Sequence, residues 1–133
     1  MESIIQSAVS KQVNGGLGYI GTLTEDKQTE DFADANDAKI VVVGAGGMGC
    51  NAINRLQSVG VVGAETIAVN TDLKHLRTVQ SDRKILIGQE LTKGLGAGGY
   101  PNTGKQAAEE SINEVRDALR GVDMMFLVAG MGG

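Results

Sequence analysis

The sequence predicts an α/β domain: a parallel β-sheet with helices on both faces. Short apolar runs of strand length alternate with segments of helical period. Glycine clusters stand directly after several of those runs. The last of the runs, D-M-M-F-L-V-A, is apolar at every position past its first, as expected of a strand in a buried parallel sheet.

Residues 1–37 read as a flexible leader. Ile4, Ile5 and Ala8 suggest a short helical piece within residues 1–11, marginal on its own. Residues 12–37 are polar and contain glycine, with too little apolar surface to order themselves. The first strand is expected at residues 39–43, ending at Gly44. Four glycines within six positions follow (G-A-G-G-M-G, residues 44–49). A helix is expected over residues 48–58, with Ile53, Leu56 and Val59 facing inward and Gly60 as its stop. Residues 66–70 (T-I-A-V-N) form the second strand. Thr71 and Asp72 then cap a short helix that turns Leu73, Leu76 and Val79 inward.

The third strand is residues 84–87, and residues 91–101 form a second glycine-rich loop. One long helix is expected over residues 102–120. Ala108, Ile112, Val115 and Leu119 would be its buried stripe, and Thr103 with Gln106 its capping box. Residues 123–129 are the fourth strand, followed by G-M-G-G. The order is β-α-β-α-β-loop-α-β, a Rossmann-like arrangement whose ligand crevice lies beyond the carboxyl ends of the strands.

Composition narrows the function. The chain has 133 residues and a net charge of −4, so it carries no basic footprint for nucleic acid. No apolar run approaches the roughly 18 residues of a membrane span, and no secretory signal is apparent at the start. The single cysteine, Cys50, cannot form an internal disulfide, which suits a reducing cytoplasm. Glycine, at 20 residues, is about twice the average usage of roughly 7%. Its clustering in turns points to ligand loops.

A glycine turn opening a helix presents bare backbone N–H groups to an anion. Residues 44–49 also satisfy G-x-G-x-x-G in the strand-then-helix context it requires. The same turn suits a nicotinamide or flavin oxidoreductase or an adenylating enzyme, or simply close strand–helix packing. The second loop, G-L-G-A-G-G-Y-P at residues 94–101, repeats the arrangement before another helix, and the third lies at residues 130–133. Several phosphates and a sugar could be held between such turns. Residues 99–106 mimic a P-loop, but Gln106 replaces the metal-binding hydroxyl and no strand precedes them. Asp72 could meet a ribose, hold a magnesium-bound water or cap its helix. Cys50 reads as a small packing residue, and His75, the lone histidine, as a solvated helix residue. No metal-ligand cluster or nucleophile–base pair is apparent.

Six strings, in order, carry a resemblance. They are G-A-G-G-M-G-C-N-A (44–52), A-V-N-T-D (68–72), K-I-L-I-G (84–88), G-L-G-A-G-G-Y-P (94–101), A-A-E-E (107–110) and D-M-M-F-L-V-A-G-M-G-G (123–133). Together they resemble the N-terminal half of the GTP-binding domain of the FtsZ family, the prokaryotic tubulin relatives that build the division ring. The leader and the second loop lean towards archaeal members.

The resemblance implies GTP or GDP with Mg2+ as cofactors. It places Gly46, Gly47, Met48, Gly49, Cys50 and Asn51 against the phosphates, with Gly132 and Gly133 in a third phosphate loop. Ala97, Gly98 and Gly99 would meet the terminal phosphate, and Asn70, Thr71 and Asp72 would flank the magnesium region. Tyr100 stands where the family usually has Asn, and Cys50 where Gly or Asn is common. The family's signature runs on into G-T-G-T-G, so the resemblance implies a domain truncated after its fourth strand, without the guanine-reading residues or the hydrolytic acid. Such a segment is expected to bind GTP weakly or not at all and to be inactive alone. The complete protein would assemble head-to-tail, hydrolyse GTP between subunits and work with division-ring proteins at mid-cell, without inserting into membrane.

Overall fold

The computed structural model describes residues 37–132; the expected leader, apart from Asp37, and Gly133 lie outside them. Nine elements follow one another. They are β1 (Ile40–Ala45), α1 (Gly46–Val59), β2 (Ala64–Asn70), α2 (Leu73–Thr78), β3 (Arg83–Leu86), α3 (Gln89–Thr92), α4 (Pro101–Glu110), α5 (Ile112–Ala118) and β4 (Met124–Ala129). The strands form one sheet in the order β3-β2-β1-β4, and every pairing is parallel. The chain therefore winds to one side of β1 and then returns to pair on the other. Such a reversal of strand order opens a crevice at the carboxyl ends of the strands.

Strand alternation divides the core into two layers. Val41, Val43, Ile67 and Val69 point to one face and pack with Ala118, Leu119 and Val122. Ala68 and Val42 point to the other, against Cys50 and Ile53 of α1 and Leu76 and Val79 at α2. Ile53 and Ile67 are almost wholly buried, each contributing about 1.5–3 kcal/mol by removal from water. Helices thus cover both faces, as the alternating pattern predicts.

Gly44 and Gly49 set the distance between α1 and the sheet. A Cβ on Gly44 would overlap the Gly49 carbonyl and Ile53, and one on Gly49 would overlap the Val128 carbonyl oxygen. Close packing and a bare turn are both present in this one stretch.

Four expectations need correction. α1 begins at Gly46, not at residue 48, and Val59, the last helical residue before the Gly60 cap, is exposed. The long helix is two helices meeting at Ser111, whose hydroxyl accepts the Gly88 N–H at 3.0 Å. Its buried positions are Ala107, Ser111 and Ala118, while Ile112 is 49% exposed and Ala108 is exposed as well. Gly88 seats directly on Ala107 and so fixes which side of the helix faces in. The helix also starts at Pro101 after Tyr100, with no side-chain cap, so Thr103 and Gln106 form no capping box. Finally, β4 is an edge strand whose Met124, Met125, Phe126 and Leu127 are 44–62% exposed, not a strand buried on both faces.

Candidate functional site: a cleft at the carboxyl ends of the strands

The first wall of the cleft is the start of α1. Ala45 is its N-cap, no side chain caps it, and its first turn holds no acidic residue. The N–H groups of Gly46, Gly47 and Met48 precede the first i→i−4 bond, so the helix leaves them for an outside acceptor.

The second wall is the turn after β2. Asn70 folds back on it: Oδ1 accepts the N–H of Thr71 at 2.8 Å and of Asp72 at 3.2 Å. Asp72 caps α2 by accepting the His75 N–H at 3.0 Å. Of the roles open to Asp72 from sequence, capping is the one realised here, and its second carboxylate oxygen is not used by that bond.

The third wall is the second glycine loop, laced to this turn. Leu73 N–H donates to the Gly94 carbonyl at 3.0 Å and Gly96 N–H to the Thr71 carbonyl at 3.2 Å. Thr92 Oγ1 adds a bond to the Thr71 carbonyl at 3.4 Å. Gly96 has φ +90° and Gly98 φ +64°, a backbone that residues with a Cβ rarely adopt. The N–H groups of Ala97, Gly98 and Gly99 donate to no group among the described residues. Behind the loop, Glu110 accepts the N–H groups of Glu90 and Leu91 at 2.9 and 3.3 Å. A carboxylate from α4 thus caps the start of α3, a helix the sequence reading did not separate from the loop.

These walls enclose a cavity of about 400 Å³. Of the expected site residues, Gly46, Gly47, Asn70, Thr71, Asp72, Ala97, Gly98 and Gly99 line it, and His75 joins them. An apolar annex of about 310 Å³ runs beneath the loop, past Val69, Ile87 and Ala108. Met48, Gly49, Cys50, Asn51 and Gly132 are not in the lining. Met48 is 67% exposed and lies against Gly130, which sets the third loop beside the first turn of α1. Gly49 and Cys50 are buried beneath the turn. The Cys50 thiol reaches the carbonyls of Gly44 and Val69 at 3.8 and 3.6 Å, and burial pushes its pKa up. That is the packing role, not a reactive thiolate. Lys105, from the false P-loop, is exposed and 4.0 Å from Glu109. His75 is not the solvated residue expected: its ring is held between Asn51 and Asn70. Spacing could not show this, because the contact joins three separate elements. Among the described residues no cluster of His, Cys, Asp or Glu could hold a metal ion alone, and no helix is long and apolar enough to cross a membrane.

A profile of the Tubulin/FtsZ family, GTPase domain, matches residues 39–133. The chain belongs to the Tubulin/FtsZ family. Cell division protein FtsZ 2 of Methanocaldococcus jannaschii is 59% identical over 97 residues, 73% of this chain and 26% of that protein. Cell division protein FtsZ 1 of Pyrococcus horikoshii is 43% identical across all of this chain and 36% of its own length. Among solved structures, an empty FtsZ dimer from M. jannaschii superposes with a TM-score of 0.75 at 49% identity, covering 82% of this chain and 32% of that one. The GTPγS-bound protofilament of CetZ2 from Haloferax volcanii gives 0.63 at 33% identity, covering 71% and 31%. The chain thus spans about a quarter to a third of the length of these FtsZ relatives. The family membership and its archaeal leaning agree with the resemblance carried by the six strings.

Proposed function

We propose that this chain supplies the phosphate-holding half of a GTP site in a tubulin-like cell-division GTPase. What carries the reading is the pair of free amide sets, residues 46–48 and 97–99, at one cleft at the carboxyl ends of a parallel sheet. Amides fixed in place suit the spread negative charge of a polyphosphate, and they stabilise charge that develops on its oxygens without reorganising. Magnesium would come with the nucleotide, held by phosphate oxygens and water, with the unused oxygen of Asp72 as a carboxylate partner. Gly130 and Gly132 would extend the site along the start of α1, with Gly133 expected to contribute to the same phosphate loop. The complete protein would hydrolyse GTP at the contact between head-to-tail subunits of a filament, in the cytoplasm at the division site, alongside other division-ring proteins. Self-association has support in the dimer and protofilament forms of the FtsZ and CetZ2 relatives.

A dinucleotide oxidoreductase would employ the first turn alone and leaves the second set of amides without a role. The test is a titration of GTP, ATP and NAD into a protein extended to the full length of its relatives. GTP should bind most tightly and drive sedimentable assembly. Tighter binding of NAD or ATP, or no assembly under any salt or pH, would sink the reading. The present chain should bind GTP only weakly and release no phosphate in steady state.

A further inference from the structure

His75 is the one titratable residue at the cleft that the functional reading leaves without a task. Its ring Nδ1 lies 3.3 Å from Asn70 Nδ2, and its Nε2 lies 3.0 Å from Asn51 Oδ1. One observation fixes the direction of every bond in this series. Asn70 Oδ1 already accepts two main-chain N–H groups, so the other end of that amide is the NH2, a donor. It donates to Nδ1, which must carry a lone pair. The ring proton therefore sits on Nε2 and is donated to Asn51 Oδ1. The other tautomer would set two donors face to face at Nδ1 and two acceptors at Nε2. The NH2 of Asn51 is left with no partner among the described residues. The ring also lies beside Gly47, where an added Cβ would come within 3.8 Å of Cε1, and its own N–H is held by Asp72.

We propose that His75 is a positioning residue of the nucleotide site: as the neutral Nε2–H imidazole, it ties Asn70 to Asn51 and leaves the Asn51 NH2 to donate to a nucleotide phosphate. The proposal rests on the GTP reading above. It joins the turn after β2 to the first helix through side chains, where the glycine loops contribute only backbone.

The test exploits a feature of composition: the chain has a single histidine, so isotope-labelled protein shows one imidazole. In its neutral form, the imidazole of the 133-residue chain should carry its proton on Nε2 and none on Nδ1. Addition of millimolar Mg·GTP should shift the Asn51 NH2 and the imidazole together with the amides of residues 46–48 and 97–99. Two variants separate the halves of the link. His75→Gln keeps a donor towards Asn51, whereas His75→Asn keeps only an acceptor towards Asn70. Affinity for GTP should fall about tenfold in His75→Ala and His75→Asn, the scale of one hydrogen bond, and stay within about twofold in His75→Gln. Mixed tautomers, or equal losses in the Gln and Asn variants, would overturn the proposal. So would glycine-loop amides that respond to GTP while the imidazole and Asn51 stay still; in that case the GTP reading survives. If no amide of either loop responds, even in a protein extended to the full length of its relatives, the GTP reading of the cleft fails and takes this proposal with it.

Discussion

At the scale of single residues, Gly49 is one of the most exacting positions. It has no room for a methyl group, because the Val128 carbonyl occupies that space. Gly49→Ala must therefore push α1 off β4, at a cost of about 1–3 kcal/mol for overpacking; chemical denaturation should show a lower midpoint. Gly104 lies inside α4 with open space around it and no positive φ, so an equal loss from Gly104→Ala would mean that crowding is not the cause. Asp82 makes a second residue-scale prediction. Its carboxylate accepts the N–H of Thr66 at 2.8 Å and the Thr66 hydroxyl at 3.2 Å, with Gln57 at 3.2 Å. The Thr66 N–H, above all, holds the Asp82 pKa below its ordinary value. A depressed carboxylate stabilises the fold above the unfolded pKa of about 3.9 and loses that contribution as pH falls through the folded value. Asp82→Asn should flatten the decline of the melting temperature below pH 4. An unchanged acid limb in the variant would refute this.

At the scale of elements, the second glycine loop depends on the helix that follows it. Glu110 caps α3 from a neighbouring element, so Glu110→Ala should loosen residues 89–92. Faster amide exchange at Glu90 and Leu91, with the β1 amides unchanged, is the expected outcome; unaltered protection would show the cap to be dispensable. This region is also where the sequence was hardest to interpret. The strands and α1 announce themselves through apolar runs bounded by glycine, and the cleft follows from where those runs end. The buried side of α4 and α5 does not, because Ala107, Ser111 and Ala118 are small or polar. Of the expected stripe, Leu119 does pack on the core and Val115 is half-buried, but Ala108 and Ile112 lie on the exposed side. The mate of the buried side is Gly88, and a residue without a side chain leaves no mark on periodicity. His75 was missed for a related reason: its partners lie 24 and 5 residues away in sequence, outside any local pattern.

At the scale of the molecule, the sheet is unequally protected. β2 is buried from Thr66 to Asn70, while among the described residues β4 leaves one edge unpaired and large apolar side chains exposed on both faces. Unpaired apolar edges favour association between copies. The chain should therefore scatter light increasingly with concentration, and Met125→Lys with Leu127→Lys should suppress this. A monomer that persists at high concentration in the unsubstituted chain would argue otherwise.

The pairing of β1 with β4 has a further consequence, for kinetics. Lys39 donates to Asp123 across 84 residues of sequence, whereas β1 meets β2 within one short crossover. Closing the longer loop costs more chain entropy and slows the step that requires it. In refolding from denaturant, pulse-labelled amides of β1 and β2 should gain protection before those of Met124–Ala129. Simultaneous protection of all four strands would show instead that the sheet condenses in one event.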